Sequence, residues 1–426
     1  MLSEVGDTHL SSDFVGGQVP REARTSALHI ALIIIGGTIG FSVFLVAAEI
    51  GGSLGYRDSA LAFGFGCLIL GLLGAATSYV GARSRVSTYV LTQYAFGRQG
   101  AKLVNLMIAL SLVGWYGVIC NFLGQASQQI LAEGLGINVP AFLTVLIASA
   151  LMIYVTVKGF TGIDKLALYL VPLMVVFLLY AASRSLAREV AVEAVIPGSG
   201  AFTLKTAISA VVGTYIAGVI IQPDYSRFAA GVASSSWAVF LALGVAYPLI
   251  LFLAAVPSLS TGNTDLLQVM AILGLAVPAF LLLTLGAWSS NVLCLYSSGL
   301  SIATIGGAQR LRQIVVVLGV LGTALAYLRA QDYLVQFLVI LGVTIPPIGA
   351  IYVLEAVFRR FDFDDTALTE QPAVRAWGLA AWLIGSGVGF GAQYGGLVLT
   401  GVASLDALAT ASLVSVLSLL YRAKQN

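Results

Sequence analysis

The stretch "IGGTIGF", residues 35–41, decides how this chain reads. It lies inside a long hydrophobic run, and three of its seven residues are glycine. Glycine costs about 1 kcal/mol against alanine in a helix interior. A membrane helix weakened at its own midpoint therefore needs a reason. One reading is that the glycines let a neighbouring helix pack closely. The other is that the backbone unwinds there and its own carbonyls and amides act as ligands. Freed backbone groups at membrane depth are tolerated only where they line a cavity or bind something.

The membrane setting follows from composition. The 426 residues are 59% hydrophobic and only 9% charged, with a mean hydropathy of +0.97. A soluble globular chain carries about 25% charged residues. The apolar runs are of helix length, not the roughly 10-residue alternating segments of an outer-membrane barrel. The polar start, with Asp7, Asp13, Arg21 and Arg24, fits no cleavable signal peptide. No stretch is long and polar enough for a soluble domain. These features exclude a soluble enzyme, a nucleic-acid binder and a receptor with an ectodomain. Cys67, Cys120 and Cys294 fall in apolar runs without metal spacing and read as buried small hydrophobes. His9 and His29 lie near the N-terminus, so no histidine is available for a mid-membrane proton relay.

Twelve spans of about 20 residues are expected. They cover approximately 28–51, 59–82, 101–131, 139–157, 161–183, 203–221, 234–257, 277–302, 312–328, 333–357, 374–394 and 401–421. Residues 264–275 read as a short surface helix before span 8. Charge tests the topology. Of the 21 Lys and Arg, only Arg57, Arg184, Arg188, Lys205 and Arg329 fall on the side opposite the N-terminus, which leaves 16 on its own side. By the positive-inside rule both termini are cytoplasmic. Span 1 then starts inside and span 6 outside. If spans 1–5 and 6–10 are two copies of one unit, the copies are inverted.

Span 6 reads "VVGTYIAGVIIQPDYSRF", residues 211–228. It carries Gly213 and Gly218 near its middle, followed by Pro223, as span 1 carries Gly36, Gly37 and Gly40. Gly37-Thr38 and Gly213-Thr214 hold corresponding places in the two copies. Paired glycine-interrupted segments are the best sequence pointer to a transporter's central site. Spans 1 and 6 are expected to be broken helices, with a small substrate and a cation near the bilayer midplane.

Few polar side chains lie at that depth. Span 8 carries Ser289, Ser290 and Asn291 in a row. A helix turns about 100° per residue, so no one face holds all three. Ser289 and Ser290 can share a side with the carbonyl of Gly286. That is an uncharged all-oxygen set, suited to a monovalent cation rather than a divalent one. Alternatively, the serines bond back to their own helix. Trp115 is close to the middle of span 3, although membrane tryptophans favour the interface. It either packs as core or offers a flat face to a planar ligand, with Tyr215 as a partner face. No nucleophile–base pair, metal cluster or phosphate loop is present, so enzymatic chemistry is not expected.

Several stretches together resemble the bacterial cytosine permeases of the nucleobase–cation symporter family. They are "GGSLGYRD" (51–58), "YVGARS" (79–84), "FGRQG" (96–100), "VGWYGV" (113–118), "DYSRF" (224–228), "WSSNVLCLYSSGL" (288–300) and "IPPIGAIYV" (345–353). The resemblance implies an all-α integral membrane protein with the LeuT-type fold: twelve transmembrane helices, as two inverted five-helix repeats plus two C-terminal helices, with helices 1 and 6 broken. The divisions become a cytoplasmic tail 1–26, repeat 1 at 27–183, repeat 2 at 200–358, helices 11 and 12 at 374–421, and a tail 422–426. It implies a base stacked between Trp115 and Tyr215, touched by main chain at Gly36 and Gly40, by Thr214 and by Asn291. It implies a sodium site at Gly36, Ile39, Gly286, Ser289 and Ser290. Three positions depart from the family pattern: Leu112 stands for a glutamine, Ala217 for a serine and Tyr215 for a phenylalanine.

The expectation is a sodium-coupled importer of a nucleobase-like heterocycle, cytosine or a related pyrimidine or purine, working by alternating access in a bacterial inner membrane. Sodium is the coupling ion and no other cofactor is expected. The partners are the small heterocycle, sodium and the lipid bilayer, with no nucleic acid. The alternative is a proton-coupled transporter or uncoupled facilitator of another nitrogen heterocycle, such as a hydantoin, allantoin or a thiamin-precursor pyrimidine. Span 10, with Pro346-Pro347, is a candidate gate.

Overall fold

The computed structural model describes residue 19 and residues 21–39, 41–157, 163–187, 202–261, 263, 266–306, 310–328, 333–360, 371–397 and 399–424. Apart from an isolated bridge between Thr25 and Ala229, the regular structure among them is helical. The chain runs through α1 (Ala27–Thr38), α2 (Phe41–Ser84), α3 (Thr88–Phe96), α4 (Arg98–Leu135), α5 (Ala141–Val157), α6 (Ile163–Leu186), α7 (Leu204–Ile220) and α8 (Gln222–Ser226). It continues through α9 (Val232–Thr261), α10 (Leu266–Ile272), α11 (Ala276–Gly306), α12 (Leu311–Tyr327), α13 (Leu334–Thr344), α14 (Pro346–Phe358), α15 (Ala376–Tyr394) and α16 (Ala403–Ala423).

Among the described residues, six helical segments are long and apolar enough to cross a membrane: Val43–Ser84, Arg98–Ala132, Val232–Thr261, Val277–Ala303, Leu334–Phe358 and Ala403–Ala423. Shorter apolar helices accompany them, among them Ala141–Val157, Leu204–Ile220 and Leu311–Tyr327. At about 1.5 Å per residue, some 20 residues traverse the hydrocarbon layer, so the 42 residues of Val43–Ser84 suffice for two crossings. They bend at Gly55, whose φ of 73° an L side chain rarely adopts. The outer faces carry exposed Leu72, Val176, Leu249, Val320 and Leu417. Such a contiguous apolar exterior suits lipid, not water. The chain is an integral, multi-pass membrane protein.

Helix α7 lies at the centre, buried on most of its faces and packed against α2 and α13. Its glycines answer one sequence question in favour of packing. A Cβ on Gly213 would run into the carbonyl of Leu338, and one on Gly342 would stand 2.5 Å from the carbonyl of Ser209. The two backbones touch because neither position has a side chain.

Besides the bend at Gly55, three interruptions among the described residues bear on the site. The first is at Ile39, which is extended (φ −95°, ψ 90°) between α1 and α2. The second corrects the sequence reading. The helix runs unbroken through Gly213 and Gly218 and stops only at Ile221, with Pro223 opening α8. Proline has no N–H to continue the ladder, so the stop falls there and not at the glycines. The freed carbonyl of Ile220 accepts from Tyr352 Oη at 2.9 Å. The third falls at Ile345, before Pro346-Pro347, where the carbonyl of Thr344 accepts from Trp382 Nε1 at 2.8 Å. These side chains supply the hydrogen bonds that lipid cannot.

Candidate functional site

The breaks in α1 and α7 open beside a common cavity. Its volume is about 70 Å³, several times the ~10–15 Å³ that a single water needs. It is lined by Gly37 and Val43 beside the first break, by Leu112, Trp115 and Ile119 of α4, and by Thr214, Tyr215, Ala217, Gly218 and Ile221 at the end of α7. Tyr225 of α8 and Ser290, Leu293 and Cys294 of α11 complete it. No charged side chain is in this lining.

Helical spacing explains the set. Residues 112, 115 and 119 recur at three and four, as do 214, 217, 218 and 221, and 290, 293 and 294, so each helix offers one face. Both large aromatics are held by neighbours. Trp115 meets Phe337 edge to face at 5.5 Å, and Tyr215 meets Tyr247 at 6.1 Å. The Tyr215 hydroxyl reaches helix α1, where a Cβ on Gly37 would lie 3.3 Å from it. Thr214 Oγ1 donates to the Val211 carbonyl at 2.6 Å and accepts from Tyr247 Oη at 2.8 Å. Its proton is thus committed within the protein, leaving an acceptor face. Below the cavity, Tyr225 Oη and Ser297 Oγ are 3.2 Å apart, and buried Asp224 accepts from the Thr88 amide at 2.9 Å.

Of the residues proposed from sequence for a cation, Ile39, Gly286 and Ser290 meet along the seam between the first break and α11. The Ile39 carbonyl faces Gly286: a Cβ there would sit 2.7 Å from the oxygen. Ser290 Oγ donates across the seam to the Gly37 carbonyl at 3.4 Å rather than to its own helix. Ser289 is buried beside it. Gly36 is buried inside α1 and does not line the cavity. Gly40 lies outside the described residues.

Asn291 departs from expectation. It is buried and turned away from the cavity. Its Nδ2 donates to the Tyr116 carbonyl at 3.2 Å and lies 3.2 Å from Cys120 Sγ and 3.1 Å from Met152 Sδ. One residue beyond Ser290 means about 100° of rotation, which carries it to the α4–α5 side. Sequence reading gave no site role to Val43, Ile119, Ile221, Tyr225, Leu293 and Cys294. The 290, 293, 294 spacing was the available signal for the last two.

Comparison with known proteins agrees with this architecture. Cytosine permeases of Escherichia coli, from strain K12 and from O157:H7, are each 27% identical over 382 residues, covering 89% of this chain and 89% of the relative. Among solved structures, Mhp1, a nucleobase-cation-symport-1 family transporter in a closed conformation with bromovinylhydantoin bound, superposes with a TM-score of 0.79 at 19% identity, covering 96% of this chain and 95% of that one. A Na+-coupled sialic acid symporter in a substrate-bound outward-open state matches with a TM-score of 0.69 at 12% identity, covering 98% of this chain and 94% of that one. The family model for permeases for cytosine/purines, uracil, thiamine and allantoin matches residues 18–373. A permease fold wrapped around an uncharged, aromatic-walled cavity, matched over most of its length by that model, makes the chain a member of the cytosine/purine, uracil, thiamine and allantoin permease family.

Proposed function

We propose that this permease is a sodium-coupled importer of a nucleobase-like heterocycle, working by alternating access in a bacterial inner membrane. The observation that carries this reading is one cavity walled by Trp115 and Tyr215 and adjoining the seam where the Ile39 carbonyl faces Gly286. A flat, neutral heterocycle suits aromatic walls without charged groups. Its polar edge meets the acceptor face of Thr214 and backbone at the α1 break. In this reading the cation is held at Gly36, Ile39, Gly286, Ser289 and Ser290, an uncharged oxygen set suited to a monovalent cation, with the Gly37 carbonyl that Ser290 Oγ reaches beside it. The cation joins α1 to α11 and so stabilises the substrate-ready arrangement. The charge asymmetry of the sequence supports twelve spans with both termini inside, and the family resemblance adds two inverted five-helix repeats plus two helices. Leu112 and Ala217 both line the cavity. A substrate's polar edge left unpaired there costs ~1–3 kcal/mol, which favours a less polar heterocycle than cytosine.

The test is a thermal-shift screen of nucleobases, hydantoins, allantoin and thiamin-precursor pyrimidines, each in sodium and in choline. A ligand specific to the folded state raises the melting temperature by mass action. One heterocycle shifting only in sodium supports both parts of the proposal. Equal shifts in both salts remove the sodium coupling, and no shift with any of them removes the substrate class.

A further inference from the structure

At the end of the bundle where α14 and α16 finish and α15 begins, three arginines surround one carboxylate. Glu355, 4% exposed, accepts from Arg422 Nη2 at 2.6 Å, from Arg422 Nη1 at 3.3 Å and from Arg359 Nε at 3.1 Å. Arg375 Nη1 lies 3.6 Å from the same carboxylate, and Arg375 Nη2 donates to Gln371 Oε1 at 2.7 Å. Among the described residues, three guanidiniums face this one carboxylate. The Nε–H groups of Arg375 and Arg422 are buried, and neither has an acceptor within reach among the described residues. Buried donors are nearly always paired. Two orphans in one basic cluster leave room for an acceptor that the described residues do not supply.

A place for that acceptor exists. A cavity of about 220 Å³ adjoins the cluster, bounded by Arg375, Arg422, Glu355, Ser415 and Ser418, with Trp377 at its edge. Trp377 is 54% exposed and Tyr421 55%, beside the exposed apolar Val374, Leu417 and Leu420. Exposed aromatics next to apolar helix ends mark the depth of lipid headgroups. Basic pockets between helices at that depth suit anionic headgroups, and the guanidinium fork matches phosphate oxygens in pairs.

We propose that this cavity is a phosphate site, filled from the bilayer by the headgroup of an anionic phospholipid. The phosphate oxygens take the unpaired Arg375 and Arg422 donors. The bound lipid then fastens the start of α15 to the ends of α14 and α16. The site is separate from the central cavity and independent of its substrate and coupling ion.

The experiment uses the full chain purified in neutral detergent. Its melting temperature is followed against mixed micelles of phosphatidylglycerol, against phosphatidylcholine and against inorganic phosphate. Phosphatidylglycerol is expected to raise it and phosphatidylcholine is not. Ser415→Asp places a carboxylate in the cavity while keeping every member of the ion cluster. It is expected to weaken the phosphatidylglycerol response at least about tenfold, the scale of one lost charge-assisted bond. Arg375→Gln, which removes a donor instead, is the second variant and should act in the same direction. Native mass spectrometry of the wild-type chain should show retained phosphatidylglycerol. An equal response to inorganic phosphate overturns the lipid source and leaves a water-filled phosphate site. A phosphatidylglycerol response matched by phosphatidylcholine, or unchanged in both variants, overturns the proposal.

Discussion

The carbonyl oxygen of Ile39 approaches Gly286 so closely that a Cβ at Gly286 would stand 2.7 Å from it. The extended residue at the α1 break thus presents its backbone oxygen to α11 across a gap that only a glycine leaves open. Gly286→Ala is expected to push the two helices apart, costing ~1–3 kcal/mol of stability as overpacking does. It should also abolish the sodium-dependent part of the thermal shift. A Gly286→Ala protein that keeps its full sodium response would place the cation elsewhere.

Ser290 supplies the gentler test of the same seam. Its hydroxyl bonds to the Gly37 carbonyl at 3.4 Å. Ser290→Ala removes the oxygen with little change in shape and is expected to raise the sodium concentration for half-maximal uptake at least about tenfold, near 1.4 kcal/mol. Ser290→Thr keeps the hydroxyl and should retain sodium dependence. Sodium titration of uptake in vesicles reads both, and matching losses in the two variants would point to packing instead.

Trp115 and Tyr215 wall the cavity, each held by an edge contact to a neighbouring ring. Tyr215→Phe preserves the ring and removes the hydroxyl that reaches Gly37. Trp115→Ala and Tyr215→Ala are expected to weaken binding of the active heterocycle by about 1–3 kcal/mol, the scale measured for base–aromatic stacking. Tyr215→Phe should bind within a few-fold of wild type. Calorimetric affinities measure the series, and a Tyr215→Phe loss as large as that of the alanine would show that the hydroxyl, not the ring, holds the ligand.

Asn291 faces Tyr116, Cys120 and Met152 and not the cavity. Asn291→Ala is therefore expected to lower the melting temperature while leaving the substrate affinity within about threefold, or ~0.7 kcal/mol. A tenfold or greater loss of affinity at unchanged stability would bring Asn291 back to the ligand.

Cys294 lines the cavity, whereas Cys67 and Cys120 are buried. A small methanethiosulfonate reagent should label Cys294 first, and the active heterocycle should slow that labelling. Cys294→Ala should transport and resist the reagent. Labelling that substrate does not slow would separate the cavity from the transport path.

Part of the cavity lining was named in the chain: Leu112, Trp115, Thr214, Tyr215, Ala217 and Ser290, which the family resemblance implied, line one cavity. They share it because each helix shows a single face to the cavity. The glycines misled more than they helped. Gly213 admits the Leu338 carbonyl, and Gly37 rather than Gly36 lines the cavity. Glycine signals both unwinding and close approach, and a local sequence cannot separate them.

By itself the sequence determined the class of molecule: an all-helical membrane protein with apolar runs of spanning length, too little charge for a water-soluble core, and a break foreseen in span 1. Hydropathy and helix-breaking residues act locally, so they are written along the chain. Tertiary structure alone decided where the second break falls, that Asn291 turns away while Ser290 turns in, and that Glu355 gathers Arg359, Arg375 and Arg422. Those outcomes depend on the rotation of each helix about its axis and on which neighbour it meets. Packing between segments distant in sequence sets both.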